Sequence, residues 1–344
     1  MTTYAILLHP AANRVYTDAA ARLMTAELGV LDRTVLGGRI SGLTQTTIGG
    51  IPYLTFESDP LTEAETGLVA NLSSIYGLFR IEGDLLAPVE LHRLDRYDDD
   101  LLTIQKYQGK TNEQFTKLLL NVTLWSSARG AEMLDRRFHV LDPLCGRGTT
   151  LNQALMYGYD ATGVDIDKRD FEAYSGFVRT YLKRKRLKHQ ADVTQVRRNK
   201  RVLGKRLEAT LAPTKEDFKA GRAQHLEYAN VDTTDARAVY APGSFDLVVA
   251  DAPYGVQHGS RTDKEGLKRG PQELIRTAAP VWTGLLRSGG AVGVSWNNLV
   301  AGRDELAEAL AGAGLEVCDS GPYLDFEHRV DQAIMRDVIV ARKP

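Results

Sequence analysis

The chain has 344 residues, enough for two domains, since single cores stop growing at roughly 250–300 residues. Its apolar share of 43% and charged share of 25% are those of ordinary globular proteins and exclude disordered, collagen-like and fibrous classes. No stretch approaches the roughly 20 apolar residues of a membrane span. The start has only the short run Tyr4-Ala5-Ile6-Leu7-Leu8 with no basic region before it, so a cytoplasmic protein is expected. Two cysteines, Cys145 and Cys318, cannot make a disulfide framework, and seven scattered histidines show no zinc-ligand spacing. No structural metal is expected.

The first hundred residues predict strands at 4–9, 33–40, 51–57 and 75–82, with helices at 18–28 and 62–71. Asp18 and the Asp59-Pro60-Leu61-Thr62 turn serve as helix starts, and Gly49-Gly50 as a hairpin connection. The order βαββαβ implies a small ferredoxin-like unit. A polar, acidic stretch at 93–100 leads into an amphipathic segment at 112–127, and we place the domain boundary between residues 104 and 105. Residues 1–104 form a small α+β substrate-recognition domain in this reading, and residues 105–344 an α/β, doubly wound, Rossmann-like domain.

Strand-like runs in the second part fall at 138–141, 161–164, 225–230, 245–250, 291–296, 315–318 and 334–341. Leu247-Val248-Val249-Ala250 lacks polar alternation, as expected of a parallel sheet covered on both faces. A basic insertion occupies 183–224. Within residues 183–206 stand eleven cations and one acid, Asp192, whereas the whole chain carries a net charge of −1. Val193, Val196, Leu203 and Leu207 give that run a partial amphipathic spacing, so it reads as a helical face docked on one side. Its cations, Lys183, Arg184, Lys185 and Arg186 first, suit nucleic-acid phosphates, and an acidic peptide or a partner protein would explain the same charges.

The strongest constellation is Val140-Leu141-Asp142-Pro143-Leu144-Cys145-Gly146-Arg147-Gly148-Thr149-Thr150, an apolar strand feeding a glycine loop and then a helix. Ligands of open α/β sheets bind at such carboxyl ends. Asp165, in Gly163-Val164-Asp165-Ile166-Asp167, stands where a carboxylate grips ribose hydroxyls. The loop lacks the third glycine of a dinucleotide fingerprint, and Asp142 would repel a pyrophosphate. It suits a ligand carrying an ammonium and a sulfonium. Asp251-Ala252-Pro253-Tyr254 follows the run at 245–250. A carboxylate and an adjacent carbonyl there can both accept from one amino group, and a tyrosine ring can stack on a flat base. Cys145 has no activating base in view and reads as a small loop residue. His258 reads as a substrate contact or a solvated loop residue, within a glycine-rich segment at 255–270 that suggests a mobile lid.

With these motifs the chain resembles the class I S-adenosylmethionine-dependent methyltransferases, and among them the amino-methyltransferases with an Asp/Asn-Pro-Pro-Tyr motif. It is most similar to the THUMP-associated tRNA guanine methyltransferases acting on the exocyclic amine. The resemblance spans about residues 110–344. It implies S-adenosyl-L-methionine as cofactor, its methionine end near Thr111, Asn112 and Asp142, along the loop residues Leu144, Gly146, Gly148 and Thr149. It places the ribose on Asp165, and the adenine against Ile166 with its amine at Asp235 and Ala236. It assigns Asp251, Pro253 and Tyr254 to catalysis, and tRNA as the partner. Two features depart from the pattern. Ala252 replaces the first proline, and residues 1–110 carry fourteen acids against nine bases, a poor match for phosphates. A peptide or small metabolite therefore stands as the alternative substrate.

Overall fold

The computed structural model describes residues 1–9, 14–198, 201–253 and 271–344. The amino-terminal unit runs β1 (Thr2–Leu8), α1 (Arg14–Leu31), β2 (Ser41–Ile48), β3 (Ile51–Ser58), α2 (Glu63–Val69), β4 (Ile75–Glu82) and β5 (Leu85–Val89). Its sheet order is β2-β3-β1-β4-β5, antiparallel throughout. The first four strands reproduce the expected βαββαβ arrangement, and β5 adds an edge strand. Thr62 caps α2 reciprocally, its hydroxyl accepting the Glu65 N–H while the Glu65 carboxylate accepts the Thr62 N–H at 2.8 Å.

Two expectations fail here. The helix expected to open at Asp18 begins at Arg14. The strand expected at 33–40 is instead a wide helical turn at Asp32–Leu36 continuing α1. The Asp32 carboxylate explains the latter, because it accepts the N–H groups of Arg39 and Ile40 at 3.0 and 3.1 Å and ties down residues that would otherwise extend.

After α3 (Asp100–Thr103) comes α4 (Glu113–Ser126). The helix falls within the amphipathic segment expected at 112–127, and eleven of its fourteen residues are buried. It packs on α1 from one side and on the larger sheet from the other. A buried polar knot ties the two units at this helix. The Asn121 side chain donates to Glu27 at 2.7 Å and to the Asn71 carbonyl at 2.8 Å, and accepts from the Tyr157 hydroxyl at 2.8 Å. Burial pushes the Glu27 carboxyl above its usual range, against the pull of its hydrogen bonds from Ser73 and Asn121.

The larger sheet is built from β6 (His139–Asp142), α5 (Thr149–Met156), β7 (Asp160–Val164), α6 (Lys168–Arg184), β8 (Lys188–Arg198), β9 (Arg201–Ala212), α7 (Lys215–Lys219), β10 (Gln224–Ala229) and β11 (Phe245–Asp251). It is completed by α8 (Pro271–Leu285), β12 (Leu286–Asn297), α9 (Arg303–Gly312), β13 (Glu316–Cys318), β14 (His328–Arg329) and β15 (Met335–Arg342). The order is β13-β15-β12-β11-β6-β7-β10-β9-β8, with β14 on β15. Strands β10, β7, β6, β11 and β12 are mutually parallel, and β15 runs antiparallel to β12. Strand order reverses beside β6, so its carboxyl end opens a crevice. This is the doubly wound α/β domain expected.

From Lys188 on, beyond the end of α6 at Arg184, the described part of the basic run is strand and not the expected helical face. Strands β8 and β9 pair antiparallel and lengthen the sheet beyond β10. Gly204 marks where β9 joins it, because a Cβ there would lie 1.9 Å from the Asn230 carbonyl oxygen.

Candidate active site

At the carboxyl ends of β6 and β11 lies a cavity of about 470 Å³, lined by Asp142 and Asp251 and by Tyr107, Gln108 and Gly109 of the chain leading into α4. Of the residues expected to bind the cofactor, Thr111, Asp142, Leu144, Gly146 and Thr149 line it. Of those expected to act in catalysis, Asp251 and Pro253 do. Tyr254, His258 and the segment at 255–270 lie outside the described residues.

The glycine loop is held by its own neighbours. The Gly146 N–H donates to the Asp165 carboxylate at 2.8 Å, and its carbonyl accepts from the Tyr228 hydroxyl at 2.9 Å. The second Asp165 oxygen accepts the Asp167 N–H at 2.8 Å. Gly148 precedes α5 at φ 75°, and a Cβ there would lie 2.3 Å from the Tyr174 ring. Glycine is thus required for packing against a ring, in addition to any approach by a ligand.

Burial raises both loop carboxylates. Asp142 is pushed up to about 7 by burial, against hydrogen bonds from Thr150 and the Leu144 N–H, with repulsion from Asp165 and Asp251 adding to the rise. Asp165 is pushed up to about 6 by burial, against the Asp167 and Gly146 N–H groups. Asp142 lines the cavity, where a buried carboxylate is a strong site for a cation, which restores its charge; Asp165 stands behind the loop and is not among the lining residues. Burial also raises the Cys145 thiol well above its usual range, in keeping with a loop residue that is no nucleophile.

Several expected residues stand away from the cavity wall. Asn112 caps α4, its side-chain oxygen accepting the Phe115 N–H at 3.1 Å. Ile166 is 67% exposed beside Asp165. Asp235 and Ala236 lie in a short turn at Thr233–Ala238, where Ala236 is buried. Lys183 and Arg184 end α6. Lys185 is bound to Asp98 and Asp100 at 2.7 Å each, and Arg186 takes a left-handed turn at φ 55°. Further along the run, Lys205 pairs with Glu172 at 3.3 Å and Arg206 with Glu227 at 2.9 Å. Part of the basic run is therefore already neutralised within the chain.

Other residues at the site gave no signal in the sequence. Tyr107 stacks under the Arg147 guanidinium at 4.7 Å, its hydroxyl lies 3.2 Å from Thr149, and Arg147 pairs with Asp170 at 2.9 Å. Asp251 accepts hydrogen bonds on both oxygens, from the Thr111 hydroxyl and from the Ser295 hydroxyl. Buried His328 packs its ring at a tilt against Phe115, which lines the cavity. Burial pushes its imidazole down to about 4, against its hydrogen bond to the Phe326 carbonyl.

Residues 131–284 match the protein family described as RMKL-like, methyltransferase domain. No curated protein matches the chain. Among solved structures, TrmN from Thermus thermophilus is similar over 100% of both chains, at 14% identity and a TM-score of 0.45. A TehB-like SAM-dependent methyltransferase from Corynebacterium glutamicum is similar over 62% of this chain and 83% of its own, at 16% identity and a TM-score of 0.33. The 1,6-didemethyltoxoflavin-N1-methyltransferase from Burkholderia thailandensis is similar over 61% of this chain and 72% of its own, at 17% identity and a TM-score of 0.36.

Residues 131–284 therefore carry a methyltransferase domain on the doubly wound sheet, with S-adenosyl-L-methionine as its cofactor. The cavity suits that cofactor, since Asp142 offers a buried carboxylate to a positively charged ligand.

Proposed function

We propose that this methyltransferase acts on an exocyclic base amine of tRNA, within the group of THUMP-associated guanine amino-methyltransferases that it resembles. The observation that carries the reading is Asp251, a carboxylate at the end of β11 that lines the cavity and is held on both oxygens by hydroxyl donors. A carboxylate so oriented accepts an N–H of the acceptor and turns the nitrogen lone pair toward the methyl group. Asp142, Thr111 and the loop at Leu144 and Gly146 hold the methionine end, and Asp165 holds the ribose.

When bound, the cofactor supplies a methyl group already activated by its sulfonium. The protein has mainly to position the acceptor, and a pose within about 3–3.5 Å of the methyl supplies much of the rate. Lys183, Arg184 and Arg186 of the basic run provide the contact with phosphates.

A peptide or small metabolite is the second reading. It is favoured by the pairing of Lys185, Lys205 and Arg206 with carboxylates of the chain itself.

Methyl-labelled cofactor incubated with unfractionated tRNA, peptides and metabolites separates the two. Label in a base of tRNA is expected. Asp251→Ala should abolish that transfer while cofactor affinity stays within about threefold of wild type. Label confined to the peptide or metabolite fraction would overturn the tRNA reading.

A further inference from the structure

Asp251 and Ser295 are register partners across the parallel pairing of β11 with β12. Ser295 interrupts the otherwise apolar run from Ala291 to Trp296 and is completely buried. A buried hydroxyl needs a partner, and this one donates to the Asp251 carboxylate. The Ser295 main chain makes a second link, its carbonyl accepting the Ala252 N–H at 2.8 Å.

That second bond needs a residue other than proline at 252, because proline has no N–H. The departure from the amino-methyltransferase pattern is therefore matched by a hydrogen bond that the usual proline cannot make. Ring closure fixes the backbone in one case and a strand bond fixes it in the other.

We propose that Ser295 is the positioning residue of the acceptor site, fixing the Asp251 carboxylate with its hydroxyl and the Ala252 peptide with its carbonyl. Ala252 thereby leaves the acceptor site as well ordered as the proline would. Thr111 steadies the other Asp251 oxygen from the approach to α4, and Ser295 does so from a central strand that cannot shift without the sheet.

This inference rests on the role given to Asp251 above, and its test separates the two. Methylation of unfractionated tRNA is measured for wild type, Ser295→Ala and Ser295→Thr, with S-adenosylhomocysteine affinity by calorimetry. Crystal structures of the same complexes are solved. Ser295→Ala should lower kcat about 10- to 100-fold, the scale of a misplaced reacting group. The KM for tRNA and the affinity for S-adenosylhomocysteine should stay within about threefold of wild type, and Ser295→Thr should recover most of kcat. Wild-type kcat in Ser295→Ala, or a loss of cofactor affinity as large as the loss of kcat, would overturn the proposal. Ser295→Cys, which keeps the volume and weakens the donor, takes the place of the alanine variant if that variant does not fold. If wild type leaves tRNA unmethylated, the acceptor reading fails and the crystal structures decide alone. An Asp251 carboxylate turned from its wild-type position in the variant supports the proposal, and an unmoved one overturns it.

Discussion

Cofactor affinity should depend on pH through Asp142. With its carboxyl pushed up to about 7 by burial, the group is mostly protonated at pH 6 in the ligand-free enzyme. The α-ammonium of S-adenosylhomocysteine, ordinarily charged below about pH 7.7, favours the ionised carboxylate. Binding below pH 7 therefore expels a proton, and affinity weakens as pH falls. From a pKa of about 7 the dissociation constant should rise about fivefold between pH 7 and pH 6, and about tenfold more by pH 5. The proton released at pH 6 should be about 0.9 per site, read by calorimetry in buffers of different ionisation enthalpy. Melting temperature is the wrong assay. Raised Asp142 contributes stability that is lost as pH rises through about 7, whereas His328, pushed down to about 4, contributes stability that is lost as pH falls through its folded pKa. Asp142→Asn should flatten the affinity profile, and Asp165→Asn should leave most of its slope. A wild-type dissociation constant constant from pH 5.5 to 7, or an unchanged slope in Asp142→Asn, would refute this reasoning.

Gly148→Ala should destabilise the protein by about 1–3 kcal/mol in urea titrations and weaken cofactor binding, because the new Cβ meets the Tyr174 ring at a backbone φ of 75°. Asn121→Ala should cost about 1–3 kcal/mol, since Glu27 and the Tyr157 hydroxyl each lose a buried partner; an equilibrium unfolding curve identical to wild type would exclude this. If tRNA lies on the basic run, changing Lys183, Arg184 and Arg186 together to Gln should lower the slope of log affinity against log salt by about one unit per lost phosphate contact. Lys185→Gln should leave that slope unchanged, because Asp98 and Asp100 already occupy its ammonium.

What the sequence made legible is what strand burial and strand ends encode. Leu247-Val248-Val249-Ala250 reads as a strand covered on both faces, and every residue of it is buried between β6 and β12. Asp142 and Asp251 close two such strands, so their meeting at one crevice follows from the parallel order alone. The amino-terminal βαββαβ order was legible for the same reason, except where a side chain competed with the backbone. Asp32 captures the Arg39 and Ile40 N–H groups, and a run that looked extended becomes a helical turn.

The basic run shows where periodicity misleads. Val193, Val196, Leu203 and Leu207 recur at intervals of three, seven and four residues, which a helix satisfies, yet Val193 faces Leu207 across the pairing of β8 with β9. A register shift between Val196 and Arg197 breaks the two-residue alternation there, so the strand pattern is absent where a reader would look for it. Gly204 is the signal that could have decided the matter, since glycine inside a charged helix has no purpose and glycine inside a strand marks a close backbone approach. Ala252 carries the same lesson at the site. Taken alone it reads as a loosened motif, because its compensation lies 43 residues away, in the carbonyl of Ser295 on the neighbouring strand. A motif specifies side chains in order along one segment, whereas the rigidity of an acceptor site is shared between strands. The identity of a motif residue therefore gives the chemistry that is available, and only the pairing of β11 with β12 shows that the backbone holding it is fixed.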